Sequence, residues 1–235
     1  IEFMEEFGLD SLDKLSAEII GRSERAMRSA ISALPDGVYE NEVYSDGYEE
    51  PVRLHVAIAK RGDELHVDWA GSSPESRRGI NVVLNYTHAY TTFTIRSVLN
   101  PDIPNNHGSL APIDMRAPEG SIVHAVKPMP GTARHVVGMF LPMPLLKALA
   151  QVVPESCIAE GAGAVWTMQV SGSHDDGSPF ITAMFTYAGG VGARATKPGL
   201  SATSFPTGVS AVPVEVVEAS APIRFAQKAL RPGSG

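Results

Sequence analysis

The chain is short of cysteine, of long apolar runs and of basic charge, and each shortage excludes a class of protein. Its single cysteine, Cys157, cannot form an internal disulfide, which is typical of a reducing compartment. No apolar run reaches the roughly 18 residues that a membrane span needs. No charged start followed by an apolar stretch indicates a secretory signal. We therefore expect a cytoplasmic protein without a membrane partner.

The charge balance excludes a general nucleic-acid binder. The 235 residues include 19 Lys and Arg against 26 Asp and Glu, which gives a formal net charge of -7. Proteins that neutralise phosphates generally cluster Lys and Arg, and no such cluster is present in the sequence. The hydrophobic content of 43% at this length is sufficient for a sizeable buried core.

Hydrophobic periodicity predicts a few helices among a larger number of strands. Apolar residues recur at helical spacing in the segments 11–34, 82–99 and 142–153. They alternate, as in strands, in the segments 38–44, 52–58, 65–69, 165–170 and 179–187. The segments 52–58 and 65–69 flank a glycine turn and predict a hairpin.

The order of these elements predicts the fold class. Strands dominate and do not alternate regularly with helices, which favours an α+β fold over a doubly wound one. We expect a largely antiparallel or mixed sheet with a few packed helices and many loops. The predicted domains are a helical lead-in segment, 1–36, and an α+β domain, 37–235. The chain starts at Ile1 and is interpreted as part of a longer polypeptide; the alternative is a natural start at Met4 after a cloning remnant, Ile1-Glu2-Phe3.

Two predicted surfaces carry basic or titratable side chains. The first helix sets an apolar stripe that includes Leu12, Leu15 and Ile19 against a polar face. That face carries the basic residues Lys14, Arg22, Arg25 and Arg28. It is either solvated or binds a partner. In the hairpin, His55 and His66 fall opposite the apolar side chains, so we expect both to face solvent.

Several familiar catalytic and binding motifs are absent. The glycine-rich segment 188–194 is not a nucleotide P-loop, because Lys197 is followed by proline. Two interpretations of it stay open, a backbone nest that binds an anion and a close-packing loop. Neither His107, His124 nor His135 has the spacing of a metal motif, and we expect no metal site in the chain. Cys157 is expected to be a buried, inert thiol.

Seven short motifs, taken in order, resemble the hydantoinase B/5-oxoprolinase family. They are Val67–Ser73, Gly79–Asn81, Pro104–Gly108, Ala117–Ser121, Thr132–Arg134, Ala188–Ala193 and Pro213–Glu218. Each motif alone is weak, but the likeness runs in order from the first helix to the last loop and covers nearly all of the chain.

The resemblance implies an ATP-dependent enzyme that opens cyclic amides such as hydantoins or 5-oxoproline. It implies a hydantoinase A-type partner that uses ATP to phosphorylate an unreactive oxygen, within a multisubunit, oligomeric complex. The alternatives are a subunit of a ketone carboxylase of the acetone or acetophenone type, or a non-catalytic scaffold piece of such a complex. In either enzyme, the substrate is a small cyclic amide or ketone.

This chain departs from the family pattern in two ways. The family's histidine- and aspartate-rich segment, which resembles a metal site, lies upstream of the region matched here. The divalent metal and the ATP with Mg²⁺ are therefore expected in the complete complex, with no cofactor in this chain, which we expect to be inactive alone. In addition, Lys197-Pro198-Gly199 lacks the aspartate that relatives commonly show before the glycine.

Four residues are candidates for substrate binding or for shaping loops. Asn106 and Arg134 come first, because an amide and a guanidinium on ordered loops can bind a carboxylate or a developing oxyanion. Asp68 and Asn81 come second. For all four, the alternative is that the side chain braces its own turn through bonds to the backbone. No catalytic residue is assigned.

Overall fold

The computed structural model describes residues 2–163, 165–209 and 212–229. The chain folds as two compact units, Ile1–Ser156 and Cys157–Gly235. Among the described residues, no helix combines the length and the hydropathy required to cross a membrane. The predicted boundary between residues 36 and 37 stays a prediction.

The first unit contains six α-helices and four strands in the part that is described. In chain order they are α1 (Glu2–Glu6), α2 (Asp13–Ser32), β1 (Gly37–Ser45), β2 (Val52–Arg61), β3 (Glu64–Asp68), α3 (Leu84–Leu99), α4 (His107–Leu110), β4 (Ile113–Arg116), α5 (His135–Gly138) and α6 (Pro142–Leu149). A short 3₁₀ helix, Pro154–Ser156, ends the unit. The predicted third helix therefore ends earlier than expected, at Leu149.

The second unit is smaller and has a hairpin as its main regular element. Strand β5 (Val165–Ser173) pairs antiparallel with β6 (Pro179–Ala188), and helix α7 (Val214–Ser220) follows. Both strands were predicted from the sequence. Trp166 on β5 is 64% exposed and Ile181 on β6 is 69% exposed, so the described part of this hairpin is poorly covered.

The sheet of the first unit confirms the α+β prediction. Its strand order is β1-β2-β3-β4. The first two pairings are antiparallel, and they include the predicted hairpin with its turn at Gly62. The pairing of β3 with β4 is parallel, which makes the sheet mixed. Alternation along β2 buries Leu54, Val56 and Ile58 completely on the inner face.

Helices α2, α3 and α6 contact the sheet and complete the core. Met27, Ile31, Ile95, Leu145 and Leu149 are all fully buried. Helix α3 is rich in threonine, and its Thr87, Thr91, Thr92 and Thr94 are buried as well. Most of these hydroxyls donate to carbonyls one turn back, whereas Thr87 Oγ1 donates to Val123 O at 2.6 Å. The tight packing that the sequence predicted for this helix is confirmed.

Helix α2 is buried only in its second half. Leu12, Leu15 and Ile19, which belong to its apolar stripe, are 43%, 40% and 44% exposed. The buried residues of the helix begin at Ser23 and continue through Met27 and Ile31. Periodicity identifies which face of a helix is apolar, but it does not show how far along the helix a neighbour extends.

The basic face of α2 pairs with acidic groups of the chain itself. Glu18 contacts Arg22 at 2.7 Å and Arg25 at 3.6 Å. Arg28 contacts Glu24 on the same helix at 2.9 Å and Glu64 on β3 at 3.2 Å. The two interpretations of this face were solvation and binding of a partner. The structure favours solvation, because the arginines form ion pairs with carboxylates of the same chain.

Candidate functional site

The four predicted residues lie in three different places, and only two of them come together. Asn106 is next to helix α2, and Asp68 is on the outer face of the sheet. Asn81 and Arg134 belong to one set of interlocked loops, residues 72–82 and 118–134, which we call the loop cluster. Their roles as ligands of a substrate stay predictions.

Asn106 joins helix α4 to helix α2. Its Oδ1 accepts hydrogen bonds from the backbone N–H groups of Gly108 and Ser109, at 2.9 and 3.3 Å, and so caps α4. Its Nδ2 donates to Ser23 Oγ at 2.9 Å. A Cβ at Gly108 would lie 1.9 Å from the carbonyl oxygen of Ile20, so glycine is required where the two helices touch. Both ends of the Asn106 amide are engaged within the protein.

Asp68 lies in a groove of about 350 Å³ on the outer face of the sheet. Its Oδ1 accepts from the N–H of Ala70 at 2.9 Å, and its Oδ2 accepts from Arg116 Nη2 at 2.7 Å. Partial burial by itself would raise the pKa of Asp68, but these two hydrogen bonds outweigh it and the pKa is lowered. Asp68 is therefore ionised at neutral pH and does not act as an acid.

The two predicted solvent-facing histidines differ in their surroundings. His66 lines the groove with a side chain that is 43% exposed, and its Nδ1 lies 3.6 Å from Asp114. The side chain of His55 is only 20% exposed, and its Nδ1 lies 2.6 Å from the carbonyl oxygen of Ala70. The prediction is confirmed for His66, whereas His55 is partly buried because the turn after β3 folds over it.

Asn81 is the central residue of the loop cluster. It is completely buried. Its Oδ1 accepts from the N–H of Ser76 at 2.7 Å. The two N–H groups of its Nδ2 are shared among three carbonyl oxygens, those of Ser76, Arg78 and Pro130, at 2.7, 3.0 and 2.9 Å. The amide thus connects a loop that precedes α3 to a loop that precedes α5.

Arg134 stands at the end of the second of these loops. Directly before it, the N–H of Ala133 donates to the carbonyl oxygen of Gly79 at 2.7 Å. The Arg134 side chain is exposed, and its Nη1 donates a long hydrogen bond of 3.4 Å to Gly131 O. A guanidinium carries five N–H donors, so most of them have no acceptor among the residues that the structure describes. Within the described part of the chain, Arg134 thus keeps unpaired donors of the kind that an anionic group accepts.

A cleft of about 330 Å³ borders the loop cluster. Ile80 and Ile122 form part of its apolar lining, and Ser76 and Arg77 are part of its polar lining. Next to it, Arg78 pairs with Glu49 at 2.7 Å and lies over the ring of Tyr48. Sequence reasoning missed these residues. The two adjacent arginines, Arg77 and Arg78, directly precede the motif Gly79–Asn81, and this pattern could have indicated them as candidate binding residues.

The glycine-rich segment of the second unit packs closely against backbone. A Cβ at Gly192 would lie 2.5 Å from the carbonyl oxygens of Ala159 and Glu160, and one at Gly190 would lie 2.7 Å from Leu200 O. The N–H of Val191 donates to Leu200 O at 3.0 Å. Backbone carbonyl oxygens are the nearest atoms at both glycines, which leaves no room for side chains and favours the close-packing loop over the anion nest.

A divalent metal does not fit the described residues. Within 2–163, 165–209 and 212–229, no three His, Cys, Asp or Glu side chains are grouped as metal ligands. His124 Nδ1 instead lies 2.9 Å from the carbonyl oxygen of Ala117. Cys157 is buried, as predicted. The chemistry that this arrangement offers is the binding of an anion or oxyanion by an exposed guanidinium on a braced loop.

Comparisons with known proteins identify the family of the chain and match most of its length. The family model described as hydantoinase B/oxoprolinase matches residues 1–235. A protein named as the B-type subunit of a D-/L-hydantoinase, from Pseudomonas sp. strain NS671, is 32% identical over 98% of this chain and 41% of its own length. The 5-oxoprolinase PfmaA of Pestalotiopsis fici is 26% identical over 98% of this chain and 18% of its own length.

Two solved structures share the fold. The ATP-dependent caprolactamase of Pseudomonas jessenii superposes with a TM-score of 0.81 at 21% identity, over 94% of this chain and 40% of that one. A nucleotide-free acetone carboxylase gives a TM-score of 0.73 at 17% identity, over 84% of this chain and 29% of that one. The chain thus spans about two fifths or less of the length of these relatives.

Proposed function

Because the chain belongs to the hydantoinase B/oxoprolinase family, we propose that it is part of the B-type subunit of an ATP-dependent enzyme that opens cyclic amides. The observation that carries the proposal is the family match over residues 1–235. It is supported by the B-type hydantoinase relative at 32% identity and by the 5-oxoprolinase among the relatives. The resemblance read from the seven motifs is confirmed at the level of the family.

The proposed reaction makes a specific demand on the protein. Opening a cyclic amide breaks the ring C–N bond: water adds to the carbonyl carbon and the ring nitrogen leaves with a proton. Once the carbonyl oxygen is phosphorylated, the negative charge at this position is on its phosphoryl group. A donor that is already in place for this charge lowers the barrier more than one that must be reorganised. Arg134 fits this role, because its guanidinium is exposed and the loop before it is bonded to Gly79. The same guanidinium can instead bind a substrate carboxylate in a bidentate manner.

The proposal includes a hydantoinase A-type partner, supplied as a separate subunit or domain, that uses ATP to phosphorylate the unreactive oxygen. The divalent metal implied by the family has no ligand set among the described residues, so no metal-dependent step is assigned to this chain. The chain's own contribution is to bind and orient the substrate.

The test uses the complete B-type polypeptide together with its A-type partner. We expect hydrolysis of hydantoin or 5-oxoproline that requires ATP and produces the open-chain acid, measured by chromatography alongside phosphate release. Each polypeptide alone is the control and is expected to be inactive. ATP-independent hydrolysis by this chain by itself would contradict the proposal.

A ketone carboxylase is the second candidate, because the fold is shared with an acetone carboxylase at a TM-score of 0.73. The same complex separates the two reactions when it is assayed with a ketone, with and without bicarbonate. Consumption of ketone that requires both ATP and bicarbonate, without turnover of any cyclic amide, would favour the carboxylase.

A further inference from the structure

We infer that Asn81 is the positioning residue of Arg134. The side chain of Asn81 does not contact a substrate in this scheme. It holds the loop that carries Arg134 at a fixed place against the loop that lines the neighbouring cleft. The inference rests on the proposed function for its catalytic consequence, but its structural part can be tested separately.

The first step of the argument is the number and direction of the bonds. Asn81 is fully buried, and its amide accepts one hydrogen bond and shares its two N–H donors among three carbonyl oxygens. Two of the donor bonds stay within its own loop, whereas the third reaches Pro130, 49 residues later in the sequence. Backbone bonds such as Val82 N–H to Ile122 O join the two loops elsewhere, and the Asn81 bond extends this attachment to Pro130, close to Arg134.

The second step is that the contact between the loops is close on both sides. A Cβ at Gly131 would lie 3.2 Å from the carbonyl oxygen of Asn81, so the backbones approach tightly there. The N–H of Ala133 donates to Gly79 O at 2.7 Å, two residues before Asn81. Arg134 therefore follows directly on a segment that is attached at Pro130 and at Ala133.

The third step is that the same amide fixes the edge of the cleft. Ser76 lines the cleft, and both its N–H and its carbonyl oxygen are bonded to Asn81. One side chain thus sets the position of the cleft lining and of the guanidinium together. Asparagine suits this place because it offers an acceptor and two N–H donors in one planar group. An ionised aspartate has acceptors but no N–H donor.

The test is a double-mutant cycle in the complete complex with Asn81→Asp, Arg134→Ala and the double variant. We expect each single variant to lower kcat/KM by about 100-fold, a magnitude typical for loss of one preorganised donor. If Asn81 acts through Arg134, the double variant loses no more than about threefold beyond Arg134→Ala alone. Losses that multiply would overturn the inference.

A second measurement needs no activity and is made on the complete B-type polypeptide. In Asn81→Asp, trypsin is expected to cleave after Arg134 about tenfold faster than in the unchanged protein, because opening of the loop becomes easier. The matched control is Thr94→Val, which removes a buried hydroxyl bonded to Tyr90 O at 2.7 Å within helix α3. Assays are run at the same interval below each variant's Tm. Equal acceleration in the control would contradict a specific attachment of this loop.

Asn81→Ser replaces Asn81→Asp in both measurements if the aspartate variant does not fold. If the complex without substitutions lacks ATP-dependent activity, the proposed function is contradicted. Trypsin cleavage then tests the attachment of the loop by itself. An active complex in which the two losses multiply would leave the proposed function in place and overturn the positioning role of Asn81.

Discussion

The loop cluster and the groove on the sheet both contain polar side chains, but they use them in opposite ways. In the groove, Arg116 Nη2 donates to the carboxylate of Asp68 at 2.7 Å, and the Arg116 side chain is 78% exposed. In the loop cluster, Asn81 satisfies only backbone groups and is buried, while Arg134 is left exposed with donors that no described residue uses. A guanidinium that is already paired with a carboxylate has less to offer an anionic ligand than one on a braced loop. This difference favours the loop cluster as the functional region.

Asn81→Ala gives the largest expected effect and tests whether the loop cluster depends on this amide. We expect the free energy of unfolding to fall by about 3 kcal/mol, because buried N–H and carbonyl groups lose their partner and a cavity is left. Chemical denaturation followed by circular dichroism measures the change. A loss below about 1 kcal/mol would show that water or a shift of the backbone replaces the amide.

Arg134→Ala separates function from stability within the same cluster. We expect kcat/KM of the complete complex to fall by about 100-fold, while Tm changes by less than about 2 °C, since the side chain is exposed. Steady-state kinetics and calorimetry supply the two values. The matched control is Arg116→Ala, because that guanidinium is bonded to Asp68 and is expected to leave turnover within about twofold. Parallel losses of activity and Tm in Arg134→Ala would return this residue to a structural role.

Asp68→Asn tests the groove through its pH dependence. The pKa of Asp68 is lowered below its ordinary value of 3.8 in the folded chain, so its ionised form stabilises the fold above that pH. The unchanged protein should therefore be more stable than the variant at neutral pH, and the difference should shrink as the pH falls below about 4. Tm measured from pH 3 to pH 7 checks this, and a constant difference across that range would contradict the assignment.

His66→Gln gives the smallest expected effect. The side chain is 43% exposed and lies 3.6 Å from Asp114, an arrangement that contributes little in solvent. We expect Tm to change by less than about 2 °C and turnover of the complete complex to be unchanged within about twofold. A large loss of turnover would mean that the groove, and not the loop cluster, contacts the substrate.

The sequence predicted most of the regular structure in advance. Alternation identified the hairpin of β2 and β3, and the threonines of α3 indicated its close packing. The stripe of Leu12, Leu15 and Ile19 was identified from its spacing, but its exposure was not, because burial depends on a neighbour that periodicity does not describe. The site was predicted less well. Asn81 and Arg134 were named separately, and nothing in their spacing indicated that they share one set of loops.

The sequence by itself determined which segments form helices and strands, the α+β class and the family. Each of these depends on patterns of residue types that are close together in the sequence. Only the tertiary structure decided which polar residues meet. The bond from Asn81 to Pro130 crosses 49 residues, and the groove of Asp68 forms only when β4 pairs in parallel with β3. Such contacts depend on which loops meet in space. The entropic cost of closing a loop varies little with its length, so no local sequence pattern selects one pairing of loops over another.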